Sequence, residues 1–217
     1  MAGFGLAGFF IALPIRETPR PKMSGSEAPR GFFLTALREE YYPLMATAAV
    51  FGAGFGVMNA FFPLYARTIG LTAGMFFIFY GVFLLLVRVL LGSFLDRLPR
   101  HEVIVISLIG FGLLSAATPL VVVSRHTMAL GAFFGILQGI SYPAMMARMV
   151  DRAGAHNRGV VVGLFTGSFG AGINAFLLLW GWIAETRGLD VMYWTAAAVM
   201  FVAAGVLAWV RRDRARP

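Results

Sequence analysis

The sequence predicts an all-α polytopic membrane protein, a bundle of six transmembrane helices. Three observations carry this reading. The 217 residues are 59% hydrophobic and only 13% charged, with a mean hydropathy of +0.79, whereas a soluble chain needs roughly 25% charged residues to cover its surface. The charges sit in short clusters between long apolar runs. Those runs come close to the ~20 residues that span ~30 Å of hydrocarbon. A transmembrane β-barrel is excluded, because its strict alternation of apolar and polar residues is absent.

Along the chain, residues 1–15 come first, and the apolar part of this segment reaches only about 21 Å at 1.5 Å per residue. It is too short to span, and it lacks the basic start and small-residue cleavage site of a signal peptide. The segment is therefore expected to be the remnant of a preceding transmembrane helix. Residues 16–42 carry Pro19, Pro21 and Pro29 and the stretch Met23-Ser24-Gly25-Ser26, which is linker chemistry; within it, 32–42 reads as an amphipathic surface helix. A six-helix bundle then occupies 43–210, with apolar runs at 44–66, 73–95, 103–123, 128–147, 159–184 and 191–210. Only the second run holds a charge, Arg88. Short connections make neighbouring helices antiparallel. A basic tail, 211–217, closes the chain.

Basic residues test the topology. The linker holds Arg16, Arg20, Lys22, Arg30 and Arg38, and the loop after the second run holds Arg97 and Arg100. Arg148, Arg152 and Arg158 lie between the fourth and fifth runs, and Arg211, Arg212, Arg214 and Arg216 in the tail. Those four segments fall on one side of the membrane. The other side holds only Arg67, Arg125 and Arg187. Linker and tail are thus expected to be cytoplasmic, and the protein to sit in a bacterial inner membrane.

Several function classes drop out. With no cysteine, there are no disulfides, zinc–thiolate sites, iron–sulfur clusters or thiol nucleophiles. His101, His126 and His156 all lie outside the apolar runs, so no metal or intramembrane protease site is expected at depth. The net charge of +8 is dispersed over loops that membrane topology already explains, which removes nucleic acid as a partner. Gly52-Ala-Gly54-Phe-Gly56 and Gly167-Ser-Phe-Gly170-Ala-Gly172 follow no strand and read as helix-packing surfaces rather than nucleotide loops. Ser168 lacks a nucleophile elbow, since Thr166 stands where a glycine would be needed. No catalytic residue, metal or cofactor is expected, and the chain reads as a non-enzyme. All ten acidic residues lie in loops, at helix ends or in the tail, so none is placed to carry a coupling proton through the bilayer centre.

The most specific pattern ends the second run: Gly92-Ser-Phe-Leu-Asp96-Arg97-Leu-Pro-Arg100. It resembles the loop motif G-x-x-x-D-R-x-G-R-R/K of the major facilitator superfamily, with Pro99 in place of the second glycine and His101 at the last basic position. Gly139-Ile-Ser-Tyr-Pro143-Ala, Asp151 and Asn157-Arg158-Gly159 are similar to the family's tenth and eleventh helices, and Gly163, Gly167, Gly170, Gly172 and Gly181 continue the small-residue pattern. The resemblance covers essentially the whole chain as the C-terminal half of such a transporter, with the six runs as helices seven to twelve. It implies alternating-access transport of a small solute, with Gly92, Asp96, Arg97 and Arg100 as a cytoplasmic gating cluster.

Polar residues within the runs are the candidates for solute contact, because each costs free energy in hydrocarbon unless it meets a cavity or partner. They are Asn59, Tyr80, Arg88, Gln138, Tyr142 and Asn174. By the resemblance, helices seven, eight, ten and eleven supply such contacts. Arg88 has two readings, an attractor for an anionic solute group or a structural arginine bonded to neighbouring carbonyls. Trp180, Trp182, Tyr193, Trp194 and Trp209 read as aromatic anchors at the membrane boundaries. The expected partners are the lipid bilayer, a small-molecule substrate and a second six-helix half: a missing N-terminal half, a partner chain or a homodimer. The competing reading is a non-transporting membrane assembly protein that keeps the half-fold.

Overall fold

In a computed structural model describing residues 41–95, 99–153 and 157–214, every long element is a helix. The expected helix remnant and linker up to residue 40 lie outside the described residues, as do Asp96, Arg97 and the last three residues of the tail. Helix α1 runs Tyr42–Thr68, α2 Gly74–Leu95, α3 Arg100–Ala117, α4 Ser124–Asp151, α5 Arg158–Arg187 and α6 Leu189–Arg214. All but α2 are long and apolar enough to cross a membrane; in α2 the described apolar run is shorter, Gly74–Leu90.

Prolines and glycines set the breaks. Pro43 starts α1, where a missing N–H costs nothing. Within α1, Val57–Phe61 forms a π-helical turn ahead of Pro63. Proline cannot donate to the carbonyl four residues back, which is that of Asn59, and its ring crowds that carbonyl; the widened turn accommodates both. Past Thr68 the chain turns at Gly70, with φ +72°, as the Leu71 amide donates to the Ala66 carbonyl at 2.8 Å. This is a helix stop in which a side chain at the positive-φ position would be strained. Pro119 tightens the end of α3 into a 3₁₀ turn, Thr118–Leu120. Pro143 sits inside α4 and takes the helical donor away from the Gly139 carbonyl.

Three helix pairs build the bundle, α2 on α4, α1 on α5 and α3 on α6. Exchanging the first three helices with the last three maps this pairing onto itself, the mark of a three-plus-three repeat. Glycine is what brings the first two pairs together. A methyl at Gly131 or Gly135 of α4 would overlap the Phe76 and Tyr80 carbonyls of α2, and one at Gly52 or Gly172 would overlap backbone across the α1–α5 seam. Such backbone approach is how helices gain packing in lipid, where burying apolar surface brings little. Several threonine hydroxyls bond within their own helices, as when Thr47 Oγ1 donates to the Pro43 carbonyl at 2.7 Å and Thr195 Oγ1 to that of Val191 at 2.7 Å.

The outer surface is apolar. Leu178 is 79% exposed and Val89 71%, an arrangement suited to lipid. Trp182, Trp194 and Trp209 are exposed, as boundary anchors would be. Trp180 and Tyr193 are not: both are fully buried. Trp180 packs on Phe176 at 5.4 Å between ring centres and Tyr193 edge-on against Tyr65 at 5.6 Å. Their apolar rings fill the bundle instead of facing lipid, which corrects the boundary reading for these two.

A methyl group discriminates the paved seams from open faces. Gly131→Ala and Gly172→Ala should each destabilise the purified protein by about 1–3 kcal/mol through overpacking against backbone. Gly167→Ala, whose methyl meets nothing within 4 Å, should be near neutral. Thermal denaturation in detergent reads the difference.

Candidate functional site

The candidate solute residues fall on α1, α2, α4 and α5, joined by a continuous chain of aromatic rings. Tyr80 of α2 lies 4.7 Å from Phe134 of α4 between ring centres, and Phe134 lies 5.6 Å from Phe55 of α1. Phe55 is 5.6 Å from Phe169 of α5, which is 5.4 Å from Tyr142 of α4, and Tyr142 meets Phe165 at 5.0 Å. Tyr80 and Tyr142 thus belong to one wall. Phe55, Phe134 and Phe169 join them unannounced by the sequence, where phenylalanine serves lipid-facing and core positions alike.

Gln138 stands one helical turn from both Phe134 and Tyr142, on the same face of α4. It is 6% exposed, and its Oε1 is buried with no hydrogen-bond partner. An unsatisfied buried acceptor costs roughly 1–3 kcal/mol, so the group calls for an explanation. Buried atoms of Ser115, Trp180 and Tyr193 also lack partners; Trp180 and Tyr193 make their ring contacts with Phe176 and Tyr65, outside this chain of rings. Asn59 lies half-buried in the π-helical turn, a feature frequent at functional sites. Pro63 and Pro143 withdraw the α-helical donors of the Asn59 and Gly139 carbonyls, so α1 and α4 each offer a loosened backbone beside a polar candidate.

Two candidates stand apart from this wall. Asn174 is exposed on α5 and donates from Nδ2 to the Gly170 carbonyl of its own helix at 2.8 Å. Arg88 is exposed on α2 and makes no hydrogen bond or ion pair among the described residues, so the carbonyl-bonded reading finds no bond here.

At the gating motif, a methyl on Gly92 would meet nothing within 4 Å among the described residues. Arg100, at the start of α3, pairs with Asp151 at the end of α4, tying the two motif segments together. Arg148 donates to His101 Nδ1 at 2.7 Å and Tyr41 to the Arg152 carbonyl at 3.0 Å. These contacts put the starts of α1 and α3 and the end of α4 at one end of the bundle. There a cavity of about 580 Å³ opens between α1, α3, α4 and α6, with Leu44, Ile104 and Met145 in its apolar lining and Arg148 and His101 also lining it. Among the described residues no group of three or more His, Asp or Glu converges as a metal site would require.

A bundle of long apolar helices with an apolar outer surface marks an integral membrane protein. The family profile of the Major Facilitator Superfamily matches residues 1–126 and, in a second overlapping segment, 68–217; the chain belongs to this superfamily of membrane transporters. No curated protein matches it.

The Arg100–Asp151 pair yields a test. Both side chains are partly exposed, 31% and 60%, so Asp151→Ala should cost under about 1 kcal/mol. Because the chain has no cysteine, the double variant R100C/D151C should be crosslinked within single molecules by a short bifunctional maleimide, read as a mobility shift absent from either single variant.

Proposed function

We propose that this chain is the C-terminal half of an alternating-access transporter that moves a small solute across a bacterial inner membrane, with linker and tail cytoplasmic. The observation that carries the reading is the wall shared by α1, α2, α4 and α5. Its polar members sit where proline has loosened two helices, the midplane arrangement expected of a solute site between repeats. On this reading Asn59, Tyr80, Gln138 and Tyr142 contact the solute directly, Arg88 and Asn174 from the exposed faces beside it.

The solute path needs a second six-helix half, from preceding sequence, a partner chain or a second copy. The exposed start of α5, carrying Gly159, Gly163, Thr166 and Gly167, is built of small residues that allow close approach, and Ala171, one turn further along the same face, borders the solute path between the halves. Gly92, open in this chain, suits the same close approach on α2. Asp96, Arg97 and Arg100 then form a cytoplasmic charge cluster that makes and breaks as the halves rock.

Reconstituted with its second half in liposomes, the protein should give saturable flux of a solute drawn from a panel of sugars, organic anions and aromatic amphiphiles. Asp151→Arg should cut that flux about tenfold at unchanged protein abundance, and R100D/D151R should recover most of it. Absence of saturable flux for every solute contradicts the transporter reading. In intact cells Ser124→Cys should react with a membrane-impermeant maleimide, and Ala153→Cys only after permeabilisation; the reverse would invert the topology.

A further inference from the structure

Among the polar candidates of the wall, Gln138 is the one with a buried, unpartnered atom. Gln138 is buried to 6% exposure with Oε1 unbonded, although leucine or methionine would fill a similar volume without desolvating an amide. The residues one turn to either side of Gln138 on α4 both join aromatic contacts, Phe134 with Phe55 and Tyr80, Tyr142 with Phe165 and Phe169. No acidic side chain occurs in the middle of any described helix, since Glu102, Asp151, Glu185 and Asp190 all lie near helix ends. The charge nearest the wall along α2 is a cation, Arg88, two turns beyond Tyr80.

We propose that Gln138 is the specificity determinant of the solute site, and that the solute is a flat aromatic compound, neutral or anionic, bearing an O–H or N–H donor. This rests on the transporter reading above. The rings of Phe55, Tyr80, Phe134, Tyr142 and Phe169 hold the flat body by offset and edge contacts. The Gln138 amide oxygen accepts the donor, and the acceptor left unpaired in the empty protein becomes paired when solute binds. A polyol needs many more hydrogen-bonding partners than the Asn59 and Gln138 amides and two phenols supply. A cation gains ring contacts but finds no carboxylate at the wall and faces Arg88.

The experiment uses the full transporter in nanodiscs, with empty nanodiscs as the blank for partitioning. Binding of 2-naphthol, of 2-methoxynaphthalene, which keeps the rings and lacks the donor, of glucose and of tetraphenylphosphonium is measured by titration calorimetry. The expected result is saturable naphthol binding at least about tenfold tighter than that of the methyl ether, because a site built around a hydrogen bond rejects the analogue that lacks it. Q138L should abolish that difference by weakening naphthol alone, and should raise the melting temperature of the empty protein, because the unpaired amide is gone. Q138M serves as the second variant if Q138L fails to fold. Equal binding of naphthol and its methyl ether, a lowered melting temperature in both variants, or preferential binding of glucose or the cation would overturn the proposal. Flux of a polyol or a cation without naphthol binding removes the solute assignment and leaves the transporter reading standing, whereas loss of all flux and all binding removes both.

Discussion

Everything in this structure depends on how helices hold together where burying apolar surface brings little. In hydrocarbon each backbone amide and carbonyl must be bonded within its own helix, and helices associate through close packing. Gly131 and Gly135 let α4 come down onto the backbone of α2, and Gly52 with Gly172 do the same between α1 and α5. These two seams are related by the same three-plus-three exchange that maps α3–α6 onto itself. They bring α1, α2, α4 and α5 together and leave outer faces of α2 and α5 exposed among the described residues.

The site follows from those seams. Phe134 sits between Gly131 and Gly135 in sequence and meets Phe55, Phe76, Tyr80 and Phe111, so the packing that joins α2 to α4 also assembles the aromatic wall. Pro63 and Pro143 loosen the two helices that carry Asn59 and Gln138. At the basic end, Arg100 with Asp151 and Arg148 with His101 tie α3 to α4 across their termini. On the proposed transporter reading, the aromatic wall and the charged end are the two parts a rocking half requires. The unsatisfied amide of Gln138 stays within the general trade of stability for function at binding sites.

Much of the fold was legible in the sequence because the apolar runs are long and the charges cluster between them. Boundaries shifted where long basic side chains reach past the hydrocarbon: α4 runs Ser124–Asp151, beyond the expected 128–147, because Arg125 and Arg148 are accommodated at its two ends. Which helices pair was not legible. Glycine spacing marks a packing face without naming its partner, and Gly92 and Gly167 look no different in sequence from Gly131, yet a methyl at either would meet nothing within 4 Å among the described residues. Trp180 and Tyr193 followed the statistics of boundary aromatics and were buried instead. The aromatic wall was hidden among 21 phenylalanines, while Tyr80, Gln138 and Tyr142 stood out because polar groups in apolar runs are rare. Of the gating cluster, Arg100 found its partner in Asp151, a residue 51 positions away that sequence adjacency could not pair with it.

The central claim is that the small-residue face of α5 borders a solute path between halves, unlike the apolar face of α6. Single cysteines at Ala171 and Val202, both exposed in this chain, separate the two in the reconstituted transporter. If the account is right, A171C reacts readily with a small water-soluble thiol reagent and solute slows the reaction, while V202C, facing lipid, stays unreactive. Equal reactivity at the two positions, or an unreactive A171C beside a reactive V202C, would contradict it.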